Sequence, residues 1–262
     1  MKLEDYLKGE MSAARHCPVR RLCPLGCLCG VDDDDDRSSL MPTFIDVKQS
    51  DFLWVDLRHE QRVFVVKSGV IVCLANLDAE NEIPFAVCGA GAQAGMAELY
   101  ITRDLANTYY YRALTDAVLC SFPAKPVRRH LEALPASVAQ GIMATTLINV
   151  STASYIQTKI LTRPLIYDRL VMFFLHLREL YARGGSELGE INLTHGEIAT
   201  LVSSDRVSTA RALHKMADDG LIELGYKTVR FKEGLDRMGD LRAEVHQFFH
   251  VLAQEEEPSA AL

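Results

Sequence analysis

The sequence predicts an α+β protein in which a β-rich block, a long helix and a compact helical block follow one another. Short apolar runs separated by turn residues fill Phe44 to Pro123, no charged residue occurs from Ala133 to Thr158, and apolar residues at helical spacing resume at Leu165. Because 262 residues exceed a typical domain of about 100–150 residues, two domains joined by the long helix are expected.

The first 40 residues are predicted to form a cysteine-rich segment followed by an acidic linker. Four of the seven cysteines crowd here, namely Cys17, Cys23, Cys27 and Cys29, and the uninterrupted run Asp32 to Asp36 follows them. The N-terminus lacks the apolar core of a signal peptide, so a cytoplasmic location is expected. In a reducing cytoplasm, crowded thiols favour metal binding or redox chemistry over disulfides.

Residues 41–130 are predicted to form an all-β sandwich or roll. Closely spaced apolar runs occur at Val63–Val66, Val70–Leu74, Ile83–Val87 and Ala117–Cys120. Such spacing, with turn residues between the runs, is typical of antiparallel β domains.

Residues 131–162 predict one long helix, ending near Arg163-Pro164 because the residue before a proline disfavours the α region. The stretch holds too many amides and hydroxyls for a bilayer span, so no membrane association is expected. A helix without charge on any face is better explained by burial on two sides, between a partner subunit and its own domain.

Residues 163–235 are predicted to form a helix pair followed by a hairpin. Thr194 and Glu197 have the spacing of a capping box, and Asp205 supplies a second N-cap. The second helix would turn an apolar face inward and leave Arg206, Val207, Ser208, Arg211 and Lys215 outside. Residues 236–262 are expected to form a C-terminal helix and a disordered tail.

The five outward residues of the second helix have the side-chain chemistry of a helix that binds DNA. Arginine can present a bidentate fork to guanine in the major groove, valine can contact a thymine methyl group, and lysine can meet phosphate. The alternative is an ordinary amphipathic helix pair whose basic side chains are merely solvated. The net charge of −7 argues against indiscriminate nucleic-acid binding, but not against a local basic surface.

Three motifs resemble the winged helix of the Crp/Fnr regulators. They are Leu193-Thr194-x-x-Glu197-Ile198-Ala199, Asp205 to Leu213, and Gly220-Leu221-Ile222; upstream, Phe64 to Val70 and Tyr167-Asp168-Arg169-Leu170 extend the likeness over about residues 50–232. The resemblance implies a cyclic-nucleotide-binding-like β-roll, a long dimerisation helix and a C-terminal winged helix-turn-helix. It further implies a homodimer on a double-stranded DNA operator, with RNA polymerase as a partner.

The residues predicted to contact DNA are Thr194, Arg206, Val207, Ser208, Thr209, Arg211 and Lys215. Among them, Arg206, Val207 and Arg211 match the base-contacting positions of the family. The family often has glutamate where Val207 stands and glycine where Ser203 closes the turn. The first departure predicts an altered operator preference, and the second concerns the geometry of the turn.

The same resemblance indicates which molecule the protein is expected to sense. The cyclic-nucleotide branch uses a Gly-Glu pair and an Arg-Ser pair, whereas this chain has Gly95 to Glu98 and then Asn107-Thr108. Without the arginine a cyclic phosphate lacks its bidentate partner, so cyclic AMP is not expected.

The sequence resembles the oxygen-sensing branch of the family more closely. Cys120 lies at the position of that branch's cluster ligand on a late strand of the β-roll, and five residues separate Cys17 from Cys23, as in the family. Cys27 and Cys29 follow at other spacings. The resemblance implies a 4Fe–4S cluster held by four of Cys17, Cys23, Cys27, Cys29 and Cys120. Zinc, a thiol–disulfide switch, and a cluster-free pocket for a small organic ligand or haem remain alternatives.

A nucleotide-dependent enzyme is the alternative from a different functional class. Gly89, Gly91 and Ala94 fit the dinucleotide-binding fingerprint, which needs a βαβ unit with a helix directly after the glycines. Instead, strand-like residues return at Asn107 to Tyr111, so the chain is not expected to be an enzyme.

Overall fold

The computed structural model describes residues 17, 19, 22–26, 42–53, 62–76, 82–96, 99 and 109–254. The N-terminal half contains β1 (Thr43–Val47), β2 (Phe52–Leu53), β3 (Arg62–Ser68), β4 (Ile71–Asn76), β5 (Glu82–Cys88), β6 (Gln93–Ala94), β7 (Tyr109–Ala113) and β8 (Ala117–Pro123). The C-terminal half contains α1 (Ala124–Ala133), α2 (Ala136–Leu161), α3 (Ile166–Arg183), β9 (Glu190–Ile191), α4 (His195–Leu201), α5 (Arg206–Asp218), β10 (Ile222–Gly225), β11 (Thr228–Phe231), α6 (Glu233–Asp236) and α7 (Gly239–Gln254).

The β-rich block forms two antiparallel sheets. Their strand orders are β1-β8-β3-β6 and β2-β7-β4-β5. Buried residues of both sheets, such as Phe64, Ile71 and Tyr111, meet in one apolar cluster. The alternation of buried and outward positions along these short strands therefore builds a roll, as expected.

The long helix begins later than the predicted domain boundary at residue 131. Leu134 is extended, with ψ 151°, and Pro135 precedes the first turn of α2. Because the residue before proline avoids the α region, residues 131–133 end α1 and a separate helix starts at Ala136.

Helix α2 is apolar on two faces. Ile142, Ile156 and Ile160 are buried against the rest of the protein. On the open face, Leu147 is 61% exposed, and Met143 and Val150 lie four residues before and three residues after it. Among the helices of the described residues, none combines the length and apolar character that a bilayer crossing needs.

Helix α3 lies at the centre of the largest core cluster. Every residue from Leu170 to Leu177 is buried. The cluster joins Val87 of the roll to Leu213 of α5 and Val245 of α7. The roll, the long helix and the helical block therefore share one continuous apolar core.

Candidate DNA interface

The first helix of the helix-turn-helix pair is fixed at its start by the expected capping box. The Thr194 hydroxyl accepts a hydrogen bond from the Glu197 amide at 3.2 Å, and the Glu197 carboxylate accepts one from the Thr194 amide at 2.8 Å. Ile198 and Leu201 on the inner face are fully buried. The Thr194 side chain, predicted to contact DNA, is thus occupied in holding α4.

The turn between the two helices depends on a left-handed residue. Ser203 has φ +46°, a conformation that glycine adopts readily and serine does not. Arg169 of α3 donates from Nη1 to the backbone oxygens of Val202 and Ser203, at 3.2 and 3.0 Å. Its Nε donates to the backbone oxygen of Arg163 at 2.7 Å, so one side chain holds both this turn and the α2–α3 junction.

The second helix starts at Asp205, whose carboxylate accepts a hydrogen bond from the Ser208 amide at 2.8 Å. The hydrogen bonds from Ser208 lower the pKa of Asp205, and the helix N-terminus favours the charged form. Leu213 and Met216 are fully buried on the inner face. The direction of α5 is therefore set by its cap and by its packing.

Arg206, Val207 and Arg211 lie on the outer face of α5 and are exposed, with Val207 at 59%. This part of the predicted set is brought together on one surface. Lys215 is also exposed, and its ammonium nitrogen lies 5.3 Å from the ring centroid of Tyr167.

Thr209, which was predicted to contact DNA, lies on the inner face of α5. It is 0% exposed and lies with Leu213 and Met216 on the inner face, because residues four and seven positions apart share one side of a helix. Its side chain is therefore unavailable to DNA. Ser208 is half-buried, and its amide is engaged by Asp205.

The predicted hairpin is present as a wing. Strand β10 pairs with β11, and β9 adds a third strand. Glu223 pairs with Lys232 at 2.6 Å and with Arg230 at 3.3 Å, and Arg230 also lies 3.4 Å from Glu190, so two carboxylates offset these two cations.

The tip of the wing adds two residues that lie outside the predicted contact set. Tyr226 is 88% exposed, and the Lys227 ammonium nitrogen lies 5.6 Å from the centroid of its ring. The sequence feature that locates both residues is the two-residue loop between the paired residues Gly225 and Thr228.

Two cysteines of the predicted metal site, Cys17 and Cys120, interact electrostatically at the roll. Cys120 is buried in β8, and its pKa is raised first by burial and then by the nearby Cys17 thiol. Cys23 packs against the same apolar cluster as Cys120. Cys27 and Cys29 lie outside the described residues. Within the described ranges, no three His, Cys, Asp or Glu side chains form a group able to hold a metal ion, so the cluster stays a prediction.

The glycine-rich segment is a turn of the roll. Gly91 has φ +85°, and a β-carbon there would lie 2.5 Å from the Leu22 β-carbon, so close packing of the N-terminal segment requires glycine. The described residues after it form the two-residue strand β6 and not the helix that a dinucleotide site needs.

One family model matches the part of the chain that contains the helix-turn-helix pair. Residues 168–238 match the family model of the Crp-like helix-turn-helix domain, which leaves α7 outside the match. No curated protein matches the chain.

Several solved structures share the fold. A CRP-family transcriptional regulator from Thermus thermophilus has a TM-score of 0.57 at 16% identity, over 78% of this chain and 95% of that one. FixK2 from Bradyrhizobium japonicum has a TM-score of 0.57 at 14% identity, over 80% and 98%. A Crp/Fnr-family regulator from Eubacterium rectale has 0.56 at 22% identity, over 77% and 89%. These likenesses establish a Crp-like fold, and the proteins concerned are transcription regulators rather than enzymes.

Proposed function

Since the chain has a Crp-like fold and carries a Crp-like helix-turn-helix domain, we propose that it is a Crp/Fnr-type transcription regulator that binds operator DNA as a homodimer. The observation that carries this proposal is the outer face of α5. Arg206, Val207 and Arg211 point away from a helix whose inner face is fully packed.

DNA recognition follows from the chemistry of these side chains. The two guanidinium groups bind guanine edges in the major groove, and Val207 contacts a thymine methyl group. Lys215 and Lys227 meet phosphates, which position the protein without reading sequence. RNA polymerase is the proposed protein partner at the promoter.

The open face of α2 is the proposed dimer interface, occupied by a second copy of this chain. Met143, Leu147 and Val150 form an exposed apolar stripe at the spacing with which two helices pack together. A twofold pair of such helices would set two recognition helices one DNA turn apart.

The DNA-reading assignment is tested by binding measurements on selected and random duplexes. An operator selected from random sequences should lose its advantage over random duplex in Arg211→Ala, by about 1–3 kcal/mol, because one bidentate base contact is removed. Arg237→Ala is the matched control, since Arg237 is exposed and forms its ion pair with Glu233, four residues away in sequence. Equal discrimination by Arg211→Ala and the wild type would contradict the assignment.

The dimer is tested by light scattering. Leu147→Asp should give a monomer with weakened operator binding, because a carboxylate would be buried between two apolar helices. Leu165 is equally exposed, at 61%, but lies outside α2, so Leu165→Asp should remain dimeric. A dimeric Leu147→Asp would rule out this face.

The proposed signal is oxygen or redox state, received through the N-terminal thiols. The nearness of Cys17 to Cys120 and the position of Cys23 on the same cluster support this assignment. Thiolates are the ligands that iron–sulfur clusters require, and a 4Fe–4S cluster is the proposed occupant. The part of the chain that the structure describes supplies three of the five predicted ligands, Cys17, Cys23 and Cys120.

Iron and sulfide analysis of anaerobically purified protein tests the cluster. Brown protein with stoichiometric iron and sulfide is expected, and Cys120→Ser should lose both. Cys73→Ser is the control, because Cys73 is a buried strand residue packed in the other apolar cluster of the roll. A colourless, iron-free protein that still binds its operator would contradict the cluster and favour a small-molecule signal.

A further inference from the structure

Gln93, in the edge strand β6, has a buried side-chain amide without a hydrogen-bond partner. The residue is 8% exposed, and neither Nε2 nor Oε1 finds a partner in the part of the chain that the structure describes. Buried amides are normally paired, because an unpaired donor or acceptor loses the hydrogen bonds that water would supply. The amide of Gln93 therefore indicates a missing partner.

The strand register places Gln93 on the same sheet face as Cys120. Val65 of β3 stands opposite Gln93 on one side and opposite Cys120 on the other. Residues directly opposite each other in antiparallel strands project to one face of the sheet. Two spacings between neighbouring strands separate the backbones of Gln93 and Cys120 by about 10 Å. The room between their side chains therefore lies above Val65.

The N-terminal cysteine segment reaches the same place. A β-carbon on Gly91, two residues before Gln93, would lie 3.0 Å from the carbonyl carbon of Leu22, which is bonded to the Cys23 nitrogen. Cys23 packs against the apolar cluster that contains Cys120. Gln93 is therefore flanked by the segment of Cys23 on one side and by the strand of Cys120 on the other.

The chemistry of this face fits a metal centre held by thiolates. Cys17, Cys23 and Cys120 are the ligands that the described part of the chain supplies, and they lie among apolar side chains such as Leu25 and Phe122. Negative charge on sulfur in apolar surroundings is stabilised by hydrogen-bond donors. A side-chain amide is such a donor, and it carries no charge of its own.

We propose that the Gln93 amide donates an N–H···S hydrogen bond to the iron–sulfur cluster that the cysteines hold. This inference rests on the cluster named in the proposed function and adds a residue that tunes its redox behaviour. Hydrogen bonds to the sulfurs are among the factors that set the reduction potential of such clusters. A donor stabilises the more negatively charged, reduced state, so Gln93 raises the reduction potential and opposes oxidation.

A redox titration of the anaerobically purified full-length protein tests the hydrogen bond. In Gln93→Leu the equilibrium between the two cluster states should shift about tenfold toward the oxidised state, the factor expected for one hydrogen bond to a charged group. For a one-electron couple this shift equals a fall of about 59 mV in reduction potential. The visible absorption of Gln93→Leu should also bleach faster in air than that of the wild type.

Thr209→Val is the matched control. The Thr209 hydroxyl is also buried without a partner among the described residues, but it lies in α5 of the helix-turn-helix pair. Thr209→Val should raise the unfolding temperature and leave the reduction potential unchanged, because it removes an unpaired polar group. Gln93→Leu should lower the potential without that gain in stability. Gln93→Met, which keeps an unbranched side chain, repeats the measurement if Gln93→Leu fails to fold.

An unchanged reduction potential in folded, iron-loaded Gln93→Leu would overturn this inference and leave the proposed cluster intact. A gain in stability equal to that of Thr209→Val would also overturn it, because the amide would then be merely unpaired. The same holds for a folded Gln93→Leu that takes up no iron, since its thiolate ligands are unchanged. An iron-free wild-type protein would overturn the cluster, and this inference with it.

Discussion

Gln157 of α2 donates a hydrogen bond from Nε2 to the backbone oxygen of Leu201, 3.1 Å away. Gln157 is 1% exposed, and Leu201 is the last residue of α4. The final carbonyls of a helix have no partner within that helix, so the long helix completes the first helix of the helix-turn-helix pair. This hydrogen bond therefore joins α2 directly to the helix-turn-helix pair.

Removal of this hydrogen bond should destabilise the protein. In Gln157→Leu the volume is kept, but the Leu201 oxygen is left buried without its partner, at a cost of about 1–3 kcal/mol. Urea unfolding measures the change. Gln140→Leu is the control on the same helix, because Gln140 is exposed. Equal midpoints for the two variants would show that the hydrogen bond contributes nothing.

Ser203→Gly should stabilise the protein by about 1 kcal/mol, because glycine adopts a φ of +46° without the strain that a β-carbon brings. Thermal unfolding measures the effect. Ser204→Gly, one residue along the same turn and outside the left-handed region, should lose stability. A decrease in Ser203→Gly would mean that the serine side chain stabilises the turn more than its backbone strains it.

The C-terminal helix should hold the α2–α3 junction in place. Glu244 of α7 forms an ion pair with Arg163 and lies 4.0 Å from Lys159, while Val245 beside it is buried. Glu244→Gln should lower the free energy of unfolding by about 1 kcal/mol, because the pair is only partly exposed.

Hydrogen exchange at residues 159–165 should also become faster in Glu244→Gln. Glu233→Gln, which removes an exposed carboxylate that lies 3.8 Å from Arg237, is the control and should change neither quantity. Protection at the junction that is the same in both variants would contradict a role for α7 there.

His176 should make the protein sensitive to mild acid. Burial lowers its folded pKa to about 4, below the ordinary value of 6.5, so the stability is complete above pH 6.5 and is lost as the pH falls toward 4. The unfolded chain takes up a proton that the folded protein does not, and the total loss is roughly 3 kcal/mol.

Urea unfolding between pH 7 and pH 5 checks this dependence. His176→Gln should give a flatter pH profile, whereas Gln140→Leu, which removes no titratable group, should keep the wild-type slope. A wild-type slope in His176→Gln would assign the acid sensitivity to other groups.

Local chemistry in the sequence was enough to predict the elements around the DNA interface. The Thr194–Glu197 capping box, the Asp205 cap and the hairpin depend on residues close together in the chain, and all three are present. The break before α2 is also local, but Pro135 moved it beyond the predicted boundary. Thr209 was misassigned as a DNA contact although its helical spacing places it with Leu213 and Met216.

By itself the sequence determined the order of β-roll, long helix and winged helix-turn-helix, and the side of α5 that carries Arg206 and Arg211. Periodicity and capping are short-range effects that a linear pattern contains. Only the tertiary structure decided that Gln157 reaches Leu201, that Arg169 holds two junctions, and that Gln93 shares a sheet face with Cys120. These contacts join residues far apart in the chain, and the packing of whole elements against each other sets their distances.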